Sequence, residues 1–292
     1  MRKLGLVISL PVALGLISMA GQELKPKTGY LDVGGAKLYY EEMGKGKPLV
    51  MIHGGGLDRR MWDDQFPVFA RSYDVIRYDA RGHGRSKAPS GTYSHHEDLK
   101  KLLDGLKVEQ AAIMGLSMGG YIAIDFALAY PDRISALVLV APGLTGYEFK
   151  SEALKKNNEM ANKAARENNL KMLVEYLQRS WTDGPFRSPE QVDPAVREKI
   201  RQMSIETIEN WNDESREIRL EPPAIGRLSE ILAPTLAVVG DLDMPDILEI
   251  VDLIEKNIKG ARKEVFKGTA HMVSMEKPAE FNRLVLHFLS RI

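Results

Sequence analysis

Ser117 is the residue of this sequence best placed to act as a nucleophile. It sits in Gly115-Leu116-Ser117-Met118-Gly119-Gly120, where glycines two residues away on either side let a chain reverse from strand to helix in one sharp turn. Such a turn strains its central residue and presents the hydroxyl at the positive end of a helix. A serine hydroxyl is a weak nucleophile near neutral pH and needs a positioned base. Six histidines are candidates. His95 and His96 fall among charged residues at a helix start and read as solvated surface. His287 falls among Val285, Leu286, Phe288 and Leu289 and reads as a partly buried structural residue. His53 and His83 lie in glycine-rich turns directly after strands, where hydrogen bonds that shape those turns are expected. His271 remains, in a loop behind the run Val265-Phe266, from which it can reach over a nucleophile on a central strand. Asp241, Asp243 and Asp246 follow the run Leu236–Val239 at the same edge, and one of them would orient the imidazole.

The elements around these residues are legible from their patterning. Gln110–Met114 is short, apolar and closed by glycine, as a buried parallel strand requires. Tyr121–Tyr130 reads as a helix that stops before Pro131, and Ile134–Val140 as the next strand. Strand, serine turn, helix and strand form one parallel crossover unit. Upstream, Tyr30–Val33 and Lys37–Glu41 flank Gly34-Gly35 as a hairpin. Pro48–Ile52 and Tyr73–Tyr78 read as strands, and Met61–Ala70 as an amphipathic helix. Ser94 with Glu97 predicts a capping box opening a helix to about Leu106. From about Gly146 to Pro222 the alternation breaks into a charged, helix-rich stretch without a convincing strand. Met160, Ala164, Leu170, Leu173, Val174 and Leu177 make one apolar stripe there, and Val196, Ile200, Met203 and Ile208 another. Alternation returns with Thr235–Gly240, a helix near Ile247–Ile258, Lys263–Phe266 and a last helix from Pro278.

The chain of 292 residues can bury a large core, and its 44% hydrophobic and 27% charged residues are those of a globular α/β protein. A formal charge of zero gives no support to nucleic-acid binding. Arg2-Lys3, the apolar stretch Leu4–Ala20 and the small residues of Ser18-Met19-Ala20 predict a signal peptide cleaved after Ala20, with export and no stable membrane insertion afterwards. Pro11 and the marginal length disfavour a retained anchor. Loss of Arg2 and Lys3 leaves 38 basic against 40 acidic residues, a net charge of −2. The chain contains no cysteine, which excludes disulfides, a cysteine nucleophile and a thiolate metal site.

Together these motifs resemble the α/β-hydrolase fold family, in its esterase-like serine hydrolase branch. His53-Gly54-Gly55-Gly56 resembles the family's oxyanion loop, and Asp79-Ala80-Arg81-Gly82-His83-Gly84-Arg85-Ser86 its Asp-x-Arg-Gly-x-Gly-x-Ser turn. Gly115–Gly119 resembles the nucleophile elbow, Gly240-Asp241-Leu242-Asp243 the acid loop, and Gly268-Thr269-Ala270-His271 with Glu276, Pro278 and Phe281 the histidine loop. The resemblance runs from about Tyr30 to the C-terminus, outside the insertion. It implies a mostly parallel sheet flanked by helices: a signal peptide over 1–20, core over 21–145 and 223–292, and a helical cap over 146–222. It also implies Ser117 as nucleophile, His271 as general base and acid, Asp243 as orienting acid (with Asp241 and Asp246 as alternatives), and the N–H groups of Gly55 (or Gly56) and Met118 as oxyanion hole. A carboxylic ester or lactone of small or medium size is the implied substrate, cleaved without metal or organic cofactor. Carbon–carbon bond hydrolysis and perhydrolysis use the same triad, and a weakly catalytic ligand sensor is the reading of another class. The apolar insertion residues Met160, Leu173, Leu177 and Trp181 would either line a pocket or pack the cap onto the body. The exported protein is expected to begin at Gly21, which intact-mass measurement of the mature chain checks; a mass that retains residues 1–20 would contradict cleavage.

Overall fold

The computed structural model describes residues 25–210, 212 and 214–292; the expected signal segment lies outside them. Strands β1 (Lys27–Asp32) and β2 (Lys37–Gly44) form the expected hairpin, in which Gly34 and Gly35 take φ of 81° and 84°. Next come β3 (Pro48–Ile52), the short helix α1 (Phe66–Phe69), β4 (Asp74–Tyr78), the three-residue β5 (Gly91–Tyr93) and α2 (His95–Gly105). The crossover unit follows as β6 (Ala111–Leu116), α3 (Met118–Ala129) and β7 (Ile134–Val140). The insertion contributes α4 (Glu152–Arg166), α5 (Leu170–Gln178), α6 (Pro194–Glu209) and the short strand β8 (Ser215–Glu217). The chain ends with β9 (Thr235–Gly240), α7 (Pro245–Asn257), β10 (Arg262–Phe266), α8 (Val273–Glu276) and α9 (Pro278–Leu289).

Eight strands make one sheet in the order β1-β2-β4-β3-β6-β7-β9-β10. From β4 to β10 every pairing is parallel, and β2 pairs antiparallel with both its neighbours. Side chains alternate between the two faces, so a strand covered on both sides must be apolar throughout. Val50, Ile52, Ile113, Leu137 and Val239 pack on the face covered by α2, α3 and α7. Met51, Met114, Val138 and Val238 pack on the other, against Trp62, Phe66 and α9. Each such buried side chain contributes roughly 1.5–3 kcal/mol.

The order places β3 and β6 side by side while the chain leaves them in opposite directions across the sheet, to β4 and to β7. Open parallel sheets bind ligands at such a switch point, outside the carboxyl ends of the strands. The glycine loop after β3 and Ser117 after β6 both lie there, with Ile52 registered against Gly115.

Several local expectations are corrected. Met61–Ala70 is not one helix: a 3-10 turn at Arg59–Trp62 and the four-residue α1 replace it, because Pro67 has no N–H to continue a ladder. Trp62, Phe66 and Phe69 are buried all the same. Ser94 does precede α2, but its Oγ meets His96 Nδ1 at 2.9 Å and Glu97 bonds Tyr130, so no capping box forms. His95 and His96 are buried, not solvated: β5 pairs with β8, and Tyr93 lays its ring against His95 at 5.0 Å. Arg81, paired with Asp98, stacks on the same Tyr93. Burial holds the His95 pKa well below its ordinary value. His287 is exposed, on the outer side of α9, while Phe281, Val285 and Phe288 face inward. In α4 the buried set is Leu154, Ala161 and Ala164, which turns Met160 outward. The insertion does carry one strand, β8, too short for a periodic signal and defined by its partner β5.

The two ends of the insertion meet on one side chain. Thr145 donates its hydroxyl to both oxygens of Asp125 at 2.8 and 2.9 Å, and the Leu220 backbone faces the same carboxylate. Burial pushes the Asp125 carboxyl up to about 6. A folded-state value above the unfolded one means that folding takes up a proton between about pH 4 and 6, so stability falls as pH rises through that window. Asp125→Asn is therefore expected to be stabilised relative to wild type at pH 7.5 but not at pH 4, by up to about 3 kcal/mol. Urea midpoints at the two pH values measure this, and an equal difference at both would contradict it.

Candidate active site

Three approaches of backbone to backbone build the turn at Ser117. A Cβ on Gly115 would stand 2.1 Å from the Gly119 carbonyl oxygen, and one on Gly119 would stand 2.3 Å from that of Ile52. On Gly120 it would meet Pro142 at 2.5 Å. Ser117 itself has φ 54° and ψ −107°, a conformation that costs a non-glycine residue about 1–3 kcal/mol. Its peptide groups are fixed: the N–H donates to Val140 O at 3.0 Å, and the carbonyl accepts from Tyr121 at 3.1 Å and Gly143 at 2.9 Å. The side chain makes no capping bond to α3 and stands at that helix's positive end.

His271 and Asp243 come together at the same sheet edge. The loop after β9 buries Asp243 completely; its Oδ1 accepts from the Met244 N–H at 2.7 Å and its Oδ2 from His271 Nδ1 at 2.9 Å. The two other aspartates are engaged elsewhere. Asp241 accepts from Gly268 N–H at 2.6 Å, and Asp246 from the N–H groups of Lys150 and Ser151 at 2.6 and 3.0 Å. With Nδ1 committed to Asp243, the lone pair of His271 lies on Nε2, which is buried and has no hydrogen-bond partner among the described residues. An imidazole so oriented can accept a proton from a hydroxyl and return it to a leaving group.

His53 and His83 have the local roles expected of them. His53 donates from Nδ1 to Gly54 O at 2.8 Å and accepts Ala80 N–H on Nε2 at 2.9 Å. His83 donates to Arg81 O at 3.0 Å and accepts the Gly56 N–H at 3.4 Å. Burial lowers both pKa values, that of His83 to about 3, so both rings are neutral linkers. Below them the turn Asp79–Ser86 is held by Asp79, which accepts from Arg59 and Arg85, and by Ser86, whose hydroxyl donates to Asp79 O at 2.7 Å.

That use of the Gly56 N–H separates the two oxyanion-loop candidates. Gly55 lies directly over the turn, where a Cβ would touch the Met118 Cβ at 3.7 Å. Among the described residues no acceptor meets the N–H of Gly55 or of Met118. Two backbone donors, a strained serine and an imidazole whose Nε2 bonds no described residue, Ser117 included, therefore all lie outside the carboxyl ends of β3, β6, β9 and β10.

The sequence model of the alpha/beta hydrolase fold matches residues 47–278. The chain belongs to the α/β-hydrolase fold family. Among similar proteins, the 2-hydroxy-6-oxo-6-phenylhexa-2,4-dienoate hydrolase of Comamonas testosteroni is 28% identical over 267 residues, 88% of this chain and 93% of that one. Among solved structures, the enol-lactonase from Burkholderia xenovorans LB400 superposes with a TM-score of 0.74 at 26% identity, over 90% of this chain and all of that one. A thermophilic esterase from Thermogutta terrifontis gives 0.73 at 26% identity, over 91% and 98% of the two chains.

One feature of this α/β-hydrolase site has no signal in the sequence beyond the presence of an aromatic residue. Residues Arg179–Asp183 form a single π turn, and it sets the Trp181 ring against His271 with centroids 4.8 Å apart. The close approaches at the elbow carry their own test. Gly119→Ala is expected to lower stability by about 2–3 kcal/mol or to prevent folding, since a Cβ would overlap fixed backbone. An unchanged urea midpoint would contradict the packing described.

Proposed function

We propose that the protein is a serine hydrolase that cleaves carboxylic esters, lactones included, of small or medium size. The observation that carries this reading is His271, fixed through Nδ1 on buried Asp243 and open at Nε2, on the same sheet edge as a serine held in a strained turn. In this mechanism His271 takes the Ser117 proton as the hydroxyl oxygen attacks the carbonyl carbon. The N–H groups of Gly55 and Met118 hold the resulting oxyanion, each such donor being worth on the order of 3 kcal/mol. The alcohol leaves with the proton from His271, and water, activated by the same imidazole, releases the acid from Ser117. Asp243 keeps the ring in the right tautomer and stabilises it while it carries the proton. Helices α4–α6 act as the cap over this edge. The esterase and enol-lactonase of similar structure support an acyl-transfer reading.

A second reading, hydrolysis of a carbon–carbon bond, is favoured by the dienoate hydrolases among the relatives. Two features weigh against it. Met272-Val273-Ser274 follow His271, where carbon–carbon hydrolases of this fold often carry an aromatic residue. A dienoate also brings a carboxylate, whereas two cations near the histidine loop are already paired, Arg187 with Glu276 at 2.5 Å and Arg197 with Asp183 at 2.9 Å.

A fluorophosphonate probe is expected to label the wild-type chain and not Ser117→Ala, and p-nitrophenyl esters from acetate to octanoate to be hydrolysed. Ser117→Ala should reduce kcat by roughly 10⁴-fold or more. Turnover of a 2-hydroxy-6-oxodienoate with none of esters or lactones would replace the first reading by the second. Equal labelling of both chains would remove the nucleophile assignment altogether.

A further inference from the structure

The π turn of the insertion is bolted to the loop that carries His271. Arg187 reaches back from just beyond that turn, donating from Nη2 to Thr182 O and from Nε to Asp183 O, both at 2.8 Å. The same guanidinium grips Glu276 through Nη1 at 2.5 Å and Nη2 at 3.1 Å, with both side chains almost fully buried. Glu276 Oε1 in turn accepts the N–H of Ala270, the residue before His271, at 3.1 Å. Arg197 clamps the turn from the other side through Asp183 at 2.9 and 3.2 Å. Gly184 seats the turn directly on both loops: a Cβ there would stand 2.5 Å from Leu242 O and 2.9 Å from the Ala270 Cβ. One chain of contacts thus runs from Thr182 and Asp183, the residues after Trp181, through Arg187 and Glu276 to the backbone beside His271, while the Trp181 ring stands beside the imidazole at a tilt of 46°.

We infer that Trp181 is a positioning residue for His271, and that the Arg187–Glu276 pair sets its register, so that the insertion supplies part of the proton-transfer apparatus and not a cover alone. This rests on the proposed role of His271 as general base. A single hydrogen bond to Asp243 leaves an imidazole free to pivot about it. A bulky ring packed beside it at 4.8 Å restricts that freedom and keeps Nε2 on the side of the ring away from Asp243. An aromatic ring 4.8 Å away also favours the imidazole most while it carries the proton taken from serine, so its effect falls on the transition state more than on bound substrate. Single π turns such as the one that follows α5 are frequent at functional sites.

The alternative use of Trp181, as a wall for the acyl chain, predicts a different pattern. A positioning role lowers kcat with KM little changed, by the same factor for acetate and octanoate esters, and slows fluorophosphonate labelling of Ser117 by that factor too. Trp181→Leu is expected to show this uniform loss at about 10–100-fold, and Trp181→Phe to recover most of it. Arg187→Met is expected to lower kcat in the wild-type background and to add little to Trp181→Leu, with urea midpoints confirming that each variant is folded. The low-field proton resonance of the His271–Asp243 hydrogen bond supplies a readout without substrate: it should broaden in Trp181→Leu and persist in Trp181→Phe. Unchanged kcat and an unchanged resonance in Trp181→Leu would overturn the inference. So would a loss confined to KM or growing with acyl length. Absence of labelling and of the resonance in the wild-type chain would instead overturn the underlying triad, which keeps the two failures apart.

Discussion

The unfavourable backbone of Ser117 is the constraint from which the rest of the molecule follows. A residue at φ 54° and ψ −107° relaxes unless its surroundings forbid every alternative. Here they do: Val140 O on the neighbouring strand takes its N–H, Gly143 and Tyr121 take its carbonyl, and three glycines let backbones close to distances that no Cβ permits. The rigid parallel sheet supplies the opposing force. Its central strands are buried on both faces, so β3, β6 and β7 cannot shift to relieve the turn without opening packed side chains on two sides.

The same strands deliver everything else in the site by their register. β3 ends beside β6 and releases the glycine loop over the elbow, while β9 and β10 end one after the other and release Asp243 and His271 toward each other. Two buried neutral histidines, His53 and His83, brace the glycine loop from behind. In the proposed mechanism neutrality suits that position, because a charged ring beside the oxyanion would tie its stabilisation to pH; burial keeps both uncharged.

Much of this was legible in the sequence because its causes are local. The glycines around Ser117 mark a turn whose sterics involve only a few neighbouring residues, and the strand and helix on either side confirm it through their patterning. The order of elbow, acid loop and histidine loop follows from strand alternation. The choice of Asp243 needed the resemblance to a family, since three aspartates share that loop and only tertiary contact separates them. What escaped was made by distant partners. His95 and His96 look solvated among their charged neighbours, yet β5 and β8, some 120 residues apart, pair above them. Pro67 splits an amphipathic pattern that otherwise reads as one helix. Trp181 sits in a π turn, which has no periodicity to detect, and its tie to His271 passes through Arg187 and Glu276, 89 residues apart. The lining of the insertion, which would select a substrate, depends on such contacts throughout.

The closure of the insertion at Asp125 has a further consequence for how such a protein can change. Entry and exit of the insertion lie together at the Asp125 carboxylate, so the sheet sees closely spaced ends whatever the length of chain between them. The length of chain between them matters little, since doubling a closed loop costs only about 0.6 kcal/mol in entropy. Helix α4 is therefore freer than α6, whose Arg197 holds the π turn, to be lengthened, shortened or replaced as new substrates demand. The segment from Arg179 to Arg187 is not, because it grips the histidine loop from within the insertion. Diversification of this scaffold would run around that segment and leave it standing, a short inherited splint inside an otherwise exchangeable roof.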